Sequence, residues 1–243
     1  LFSHLSNEIN VFTLDPAVHQ NLAEEIDISV QLAVHGDDYL HDALLPYANF
    51  VTVVQHNLST PLHLGLAARD LLLSSSDKYD LYVYMEDDII FNDPEMFFKY
   101  ICFYTHLGDQ YVLMPHRFER IQHGESSGSY LYVDGPLDLS ALESFSWNPQ
   151  PDAVKLFYNQ SYVSFDIPQN PHSGCFIVSK PQFISLKSNR KLLPSDWITP
   201  LDAAATATTA TQFTILKPSW SNRHFLEVEH ACPTYLSYLK NKS

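Results

Sequence analysis

The stretch that most constrains the fold is Asp80-Leu-Tyr-Val-Tyr-Met-Glu86-Asp87-Asp88-Ile-Ile-Phe91. Within 79–91 it reads as a strongly apolar strand interrupted by acids. A buried strand does not end in three successive carboxylates without compensation. Close like charges raise one another's pKa, and burying them unpaired costs several kcal/mol. A divalent cation removes the conflict, because carboxylate oxygens are hard ligands suited to Mg2+ or Mn2+. The plain alternative is a solvated acidic turn leading to the helix start at Asp93-Pro94.

The flanking pattern sets the expected architecture. Ile9–Thr13, Ile28–Val34 and Phe50–Gln55 are strand-like, and Leu62–Leu73 has apolar residues at helical spacing. A helix is expected from Asp93 to about His106, then a strand at Tyr111–Pro115. Strands alternating with helices predict an α/β fold with a mostly parallel central sheet flanked by helices. Segment 117–170 reads as hairpins and long loops, and His172–Val178, Phe213–Lys217 and Phe225–Glu229 as further strands. Thr199 as N-cap, Pro200 at N1 and Asp202 at N3 start a helix over Ile198–Gln212. Its Ala and Thr side chains are small enough for another element to approach closely. No composition break divides the chain, so 1–243 is expected to form one domain, with lobes at about 1–110 and 111–243.

Charge and cysteine content exclude some classes. Fourteen Lys+Arg against 28 Asp+Glu give −14, a field that repels phosphate backbones and argues against nucleic acid as partner. Twelve His bring that to −2 at most on acidification. Three cysteines cannot build a disulfide framework and favour a reducing compartment. Sequons at Asn57, Asn159 and Asn241 matter in a secretory lumen alone. No run approaches the ~18 apolar residues of a membrane span. The chain starts at Leu1 without Met or leader, and so reads as a fragment or processed product.

Leu66-Ala-Ala-Arg69-Asp-Leu and Lys78-Tyr-Asp-Leu-Tyr-Val-Tyr-Met-Glu86-Asp87-Asp88-Ile together resemble the core of GT-A-fold glycosyltransferases, which use nucleotide-diphosphate sugars and carry a DxD-type motif after a buried strand. The strict resemblance covers about residues 62–91. It implies a Rossmann-like sheet with a smaller, mixed sheet on the acceptor side. It also implies Asp88 as direct metal ligand, with Glu86 and Asp87 reaching the ion through water or touching the donor ribose and sugar. Arg69 would lie on the helix beside the donor, a surface ion pair being the plain alternative. In that family the first strand binds the base. Here Leu1–Leu5 reads as the tail of a helix, so that strand is either Ile9–Thr13 or upstream of Leu1. Thr13 and Asp15 are the candidates for base recognition.

Glycosyl transfer needs a cation on the diphosphate, an acceptor site and, for inversion, a base. Asp202 is the first candidate base, against a simple helix-cap role; Asp196, Glu119 and Asp166 follow. Gly174, in His172-Ser-Gly-Cys-Phe176, permits close backbone approach to the sugar, or simply bends the chain before a strand. Several GT-A enzymes supply a late His to the metal, which makes His230 the first and His224 the second choice. His116 and Arg117 are candidates for acceptor or phosphate contact. The resulting expectation is an Mn2+- or Mg2+-dependent transfer from a nucleotide-sugar donor, UDP-sugar favoured, to a glycan or glycoconjugate hydroxyl, inversion slightly favoured. Bacterial cytoplasm at the inner membrane face is the expected compartment, with a Golgi lumen as alternative. A sugar nucleotidyltransferase would show a Gly-rich phosphate loop, which is not visible. A non-catalytic carbohydrate-binding module would not hydrolyse any sugar nucleotide. Ser-His-Asp hydrolysis lacks its G-x-S-x-G elbow.

Overall fold

The computed structural model describes residues 27–37, 39–121, 128–143, 154–232 and 234–240. Twelve strands occur among them: β1 (Val30–His35), β2 (Val51–His56), β3 (Leu81–Met85), β4 (Ile89–Ile90), β5 (Tyr111–Leu113), β6 (His116–Arg120), β7 (Tyr130–Tyr132), β8 (Val154–Tyr158), β9 (Ser161–Asp166), β10 (Cys175–Ser179), β11 (Thr214–Pro218) and β12 (Glu227–His230). The expected strand Ile9–Thr13 lies outside the described residues.

The expected mostly parallel central sheet does not form. The strands make two two-stranded sheets, β1-β2 and β10-β3, and two four-stranded ones, β5-β11-β9-β8 and β4-β12-β6-β7. Parallel pairing is confined to β1–β2, β5–β11 and β6–β12; every other pair is antiparallel. The GT-A, Rossmann-like sheet implied by the resemblance is therefore corrected to a mixed α/β arrangement of small sheets. The physical reason lies in the second half of the chain. Strand–helix alternation holds through Leu113, but β3 takes its ladder partner from β10, nearly a hundred residues later and in the opposite direction. Short hairpins such as β8–β9 supply antiparallel neighbours that need no crossover helix.

The β3–β10 pair separates two cores. Successive strand side chains point to opposite faces. Tyr82, Tyr84, Phe176 and Val178 pack on one side with Phe183 and the Ala-rich helix. Leu81, Val83, Met85, Cys175 and Ile177 pack on the other with Tyr100, Phe103 and Phe165. Burial on both faces explains the near-continuous apolar run, which needs no parallel sheet around it.

The helix opened by Thr199 forms as the capping residues dictate. It runs through Pro200–Asp202, a π-helical turn Ala203–Ala207 and Thr208–Ala210. Its small residues admit the Leu64–Leu72 helix, as expected. A Cβ on Gly65 would lie 2.8 Å from Leu201 Cδ2 and 3.5 Å from Ala204 Cβ. No helix among the described residues is long and apolar enough to cross a membrane.

Candidate functional site

β3 ends at Met85, and the acids occupy the turn into β4. The backbone N–H of Glu86 donates to Gly174 O at 2.9 Å. Gly174 has φ +63°, a left-handed conformation that suits glycine. A Cβ there would stand 2.8 Å from Ile89 Cδ1 and 3.1 Å from Glu86 Oε2. Gly174 is thus what lets the Glu86 side chain lie flat against the β10 entry.

Register then brings in the late histidine. β12 pairs antiparallel with β4, His230 opposite Ile89, and Ala231 N–H donates to Asp88 O at 2.7 Å. His230 Nε2 lies 3.1 Å from Asp88 Oδ2, and its Nδ1 lies 3.0 Å from Glu119 Oε1. The imidazole is therefore held between two carboxylates. The hydrogen bond from His230 pulls the Asp88 pKa below its usual value, and the same bond raises that of His230.

Two carboxylate oxygens in this turn have no partner. Glu86 Oε1 and Asp88 Oδ1 are shielded from water and make no hydrogen bond among the described residues. Such orphans are uncommon in folded proteins and call for a cause. Burial, reinforced by the neighbouring Asp88 charge, pushes Glu86 up to about 7, while Arg117 and His230 pull the other way.

The charges near these acids are anchored from β6 and β11. Arg117 Nε donates to Asp134 Oδ1 at 2.8 Å, and Lys217 Nζ to Asp134 Oδ2 at 2.8 Å and to His172 O at 2.7 Å. Although burial opposes ionisation, Lys217 and Arg117 hold Asp134 far below the ordinary carboxylate range. Arg117 is 4% exposed, and its Nη atoms make no further hydrogen bond among the described residues.

Asp202 approaches from the first turn of the Ala/Thr helix. Its Oδ2 accepts from Thr199 Oγ1 at 2.6 Å, and its backbone N–H donates to the same hydroxyl at 3.2 Å, so Thr199 is the residue that caps the helix. Its Oδ1 lies 3.4 Å from His172 Nδ1, which is also 2.8 Å from Thr206 Oγ1. Burial, aided by Arg117, pushes His172 down to about 3, so the imidazole is neutral and the contact to Asp202 is not an ion pair. The Asp202 charge also contributes, after burial and Asp88, to raising Glu86.

The remaining candidates lie as follows. Asp87 is exposed at the tip of the turn. Arg69 is buried and its guanidinium is bound to Asp70 and to Pro194 O, contacts that brace the helix. His224 sits beside Tyr132 and Glu227, with its side chain 59% exposed. His116 Nε2 lies 2.7 Å from Pro218 O. Asp166 and Asp196 are exposed. Thr13 and Asp15 lie outside the described residues. Sequence reasoning missed Asp134 and Lys217; neither stands in a motif, and the β6–β7 pairing and the β5–β11 pairing that leads into β6 bring them to Arg117. A cavity of about 210 Å³ at the other end of β3, near Asp80 and Ser179, contains none of these candidates.

Among the described residues no group of three or more His, Cys, Asp or Glu is arranged to hold a metal ion. Mg2+-type ions are commonly held by one or two carboxylates plus phosphate and water. Asp88 and His230 stand 3.1 Å apart, and two adjacent donors on one octahedral ion are separated by about 3 Å. The orphan oxygens of Glu86 and Asp88 lie in the same turn. No protein-family model matches the chain, and no curated protein matches it significantly.

Proposed function

We propose that the chain transfers a glycosyl group from a nucleotide-diphosphate sugar to a hydroxyl of a glycan or glycoconjugate, with Mn2+ or Mg2+ as cofactor. The observation that carries this reading is the pair of buried, unpartnered oxygens, Glu86 Oε1 and Asp88 Oδ1, at a strand end beside His230. Asp88 and His230 would hold the ion, which when bound neutralises the charge of a diphosphate leaving group. Arg117, fixed at Nε by Asp134, has its Nη donors left for the same anion. Asp202 would take the acceptor hydroxyl proton; Thr199 fixes the orientation of its carboxylate. Gly174 keeps the floor of the site free of side-chain atoms beside Glu86.

This reading rests on the site and on the resemblance across 62–91, without a Rossmann-like sheet. Cys102, Cys175 and Cys232 are all unpaired, which suits the reducing compartment proposed for the reaction, the cytoplasm. The test is a thermal-shift screen of nucleotides and nucleotide sugars with and without Mn2+. Stabilisation by a nucleoside diphosphate that needs Mn2+ supports the reading. No nucleotide response, or one indifferent to Mn2+, removes it.

A further inference from the structure

We infer that the protein binds neutral carbohydrate at a second site, an aromatic platform built around Trp220 on the sheet face turned away from the acidic turn. This goes beyond the metal-dependent reading and does not rest on it. Strand alternation separates the two places. On β6, Arg117 and Glu119 point to one face and His116 and Phe118 to the other. β7 sets Tyr132 opposite Phe118, and β12 sets Glu227 opposite His116. Tyr132 and Glu227 therefore share the face of His116. His230 lies on the other face, where it touches both Glu119 and Asp88.

Trp220 opens the 3-10 turn Trp220–Phe225 after β11 and is 59% exposed. The turn is fastened to β9: Ser219 N–H donates to Ser164 O at 2.8 Å, and Ser164 N–H to Asn222 Oδ1 at 2.9 Å. The Trp220 ring centroid lies 5.0 Å from that of Tyr132 and 5.9 Å from that of His116, both in edge-to-face contact. The Arg223 guanidinium lies over the Trp220 ring, 5.0 Å from its centroid, and Nη1 donates to Trp220 O at 3.1 Å. A ring fixed in advance loses little freedom when a ligand settles on it.

Polar groups border this platform. Glu227 Oε2 accepts from Tyr132 OH at 2.8 Å and lies 3.1 Å from His224 Nδ1. A sugar ring presents an apolar C–H face and a belt of hydroxyls. The electron-rich face of an aromatic ring attracts the C–H bonds. Carboxylate, imidazole and guanidinium groups beside it accept from or donate to the hydroxyls. Charge balance selects a neutral ligand. Arg120 and Arg223 stand against Glu227 and Glu229, and Arg120 is paired with Glu229 at 3.0 Å, so a polyanion meets no surplus of cations among the described residues. The core of a protein–protein contact is depleted in charged groups. Trp220 is instead followed by Ser221, Asn222, Arg223 and His224.

The experiment is affinity electrophoresis of the full chain in native gels containing a soluble β-glucan, mannan, xylan or dextran, run with EDTA. Calorimetry with the matching hexasaccharides gives the affinities. At least one of these polymers is expected to retard the wild type without any metal or nucleotide. Trp220→Ala removes an exposed ring, so its unfolding midpoint should stay near that of the wild type. Its affinity for the same glycan should fall about tenfold or more. Wild-type affinity in folded Trp220→Ala overturns the inference, as does the absence of retardation by all four polymers. Binding that appears only with Mn2+ places the glycan at the acidic turn and overturns it too. So does sedimentation showing a wild-type dimer that Trp220→Ala dissociates, because the platform would then be a contact between copies of the chain.

Discussion

His230 Nε2 lies 3.1 Å from Asp88 Oδ2, although 142 residues separate them in the chain. The β4–β12 ladder makes that contact: His230 pairs with Ile89, and Ala231 N–H closes on Asp88 O. A carboxylate and an imidazole are thus brought together at the end of a buried strand, beside two unpartnered carboxylate oxygens.

Glu86 gives the site a stability signature in pH. Its folded pKa, pushed up to about 7, lies above the unfolded value of 4.5. The native state then binds more protons than the unfolded state between those limits. Its relative stabilisation is complete below about pH 4.5 and is lost as pH rises through about 7. Glu86→Gln removes this dependence. Relative to the pH 4 difference, the variant should gain up to about 3 kcal/mol over the wild type at pH 8 in denaturant titrations. A wild-type-minus-variant difference that is flat from pH 4 to 8 would show that Glu86 is not buried in this way.

Gly174→Ala should destabilise the fold and disturb the acids together. The left-handed φ costs a non-glycine residue roughly 1–2 kcal/mol, and the added methyl meets Ile89 and Glu86. Urea unfolding should register a loss of about 2 kcal/mol or more. A neutral substitution would mean that the turn relaxes freely and does not hold Glu86.

Asp134→Asn tests the buried charge group. Arg117 and Lys217 would lose their shared carboxylate in a dry environment, at a cost of about 3–5 kcal/mol. Chemical denaturation should show this, and the folded fraction should lose nucleotide affinity because Arg117 is no longer aimed. A variant as stable as the wild type would place Asp134 outside the structural frame of the site.

Asp202→Asn separates the capping role from the chemical one. Asn keeps an oxygen for Thr199, so the helix start should survive. Transfer should fall at least a hundredfold while donor binding stays near that of the wild type. Near-normal turnover would eliminate Asp202 as base.

Part of this arrangement is legible in the sequence because it is local. The apolar run 81–85, the acidic turn, the Thr199-Pro200 helix start and the backbone role of Gly174 all follow from spacing and residue type. His230 was reachable through resemblance, since no spacing links it to Asp88. The sheet topology was not legible. A strand buried on both faces reads the same whether its partner is parallel or, like β10, antiparallel and distant. Asp134 and Lys217 escaped for a similar reason: an isolated Asp after β7 and a Lys inside β11 carry no signal until the strands pair. Glu119 reads in the sequence as a weaker candidate base; its contacts with His230 and the Thr234–Lys240 helix depend on long-range packing.

The most direct test of the central claim is calorimetric titration of wild type and Asp88→Ala with UDP and UDP-sugars, with and without Mn2+. The account predicts nucleotide binding that requires Mn2+ in the wild type. It predicts loss of that binding in Asp88→Ala, whose circular dichroism and unfolding midpoint remain close to wild type. Unchanged, Mn2+-dependent affinity in a folded Asp88→Ala protein, or no Mn2+-dependent binding in the wild type, would contradict it.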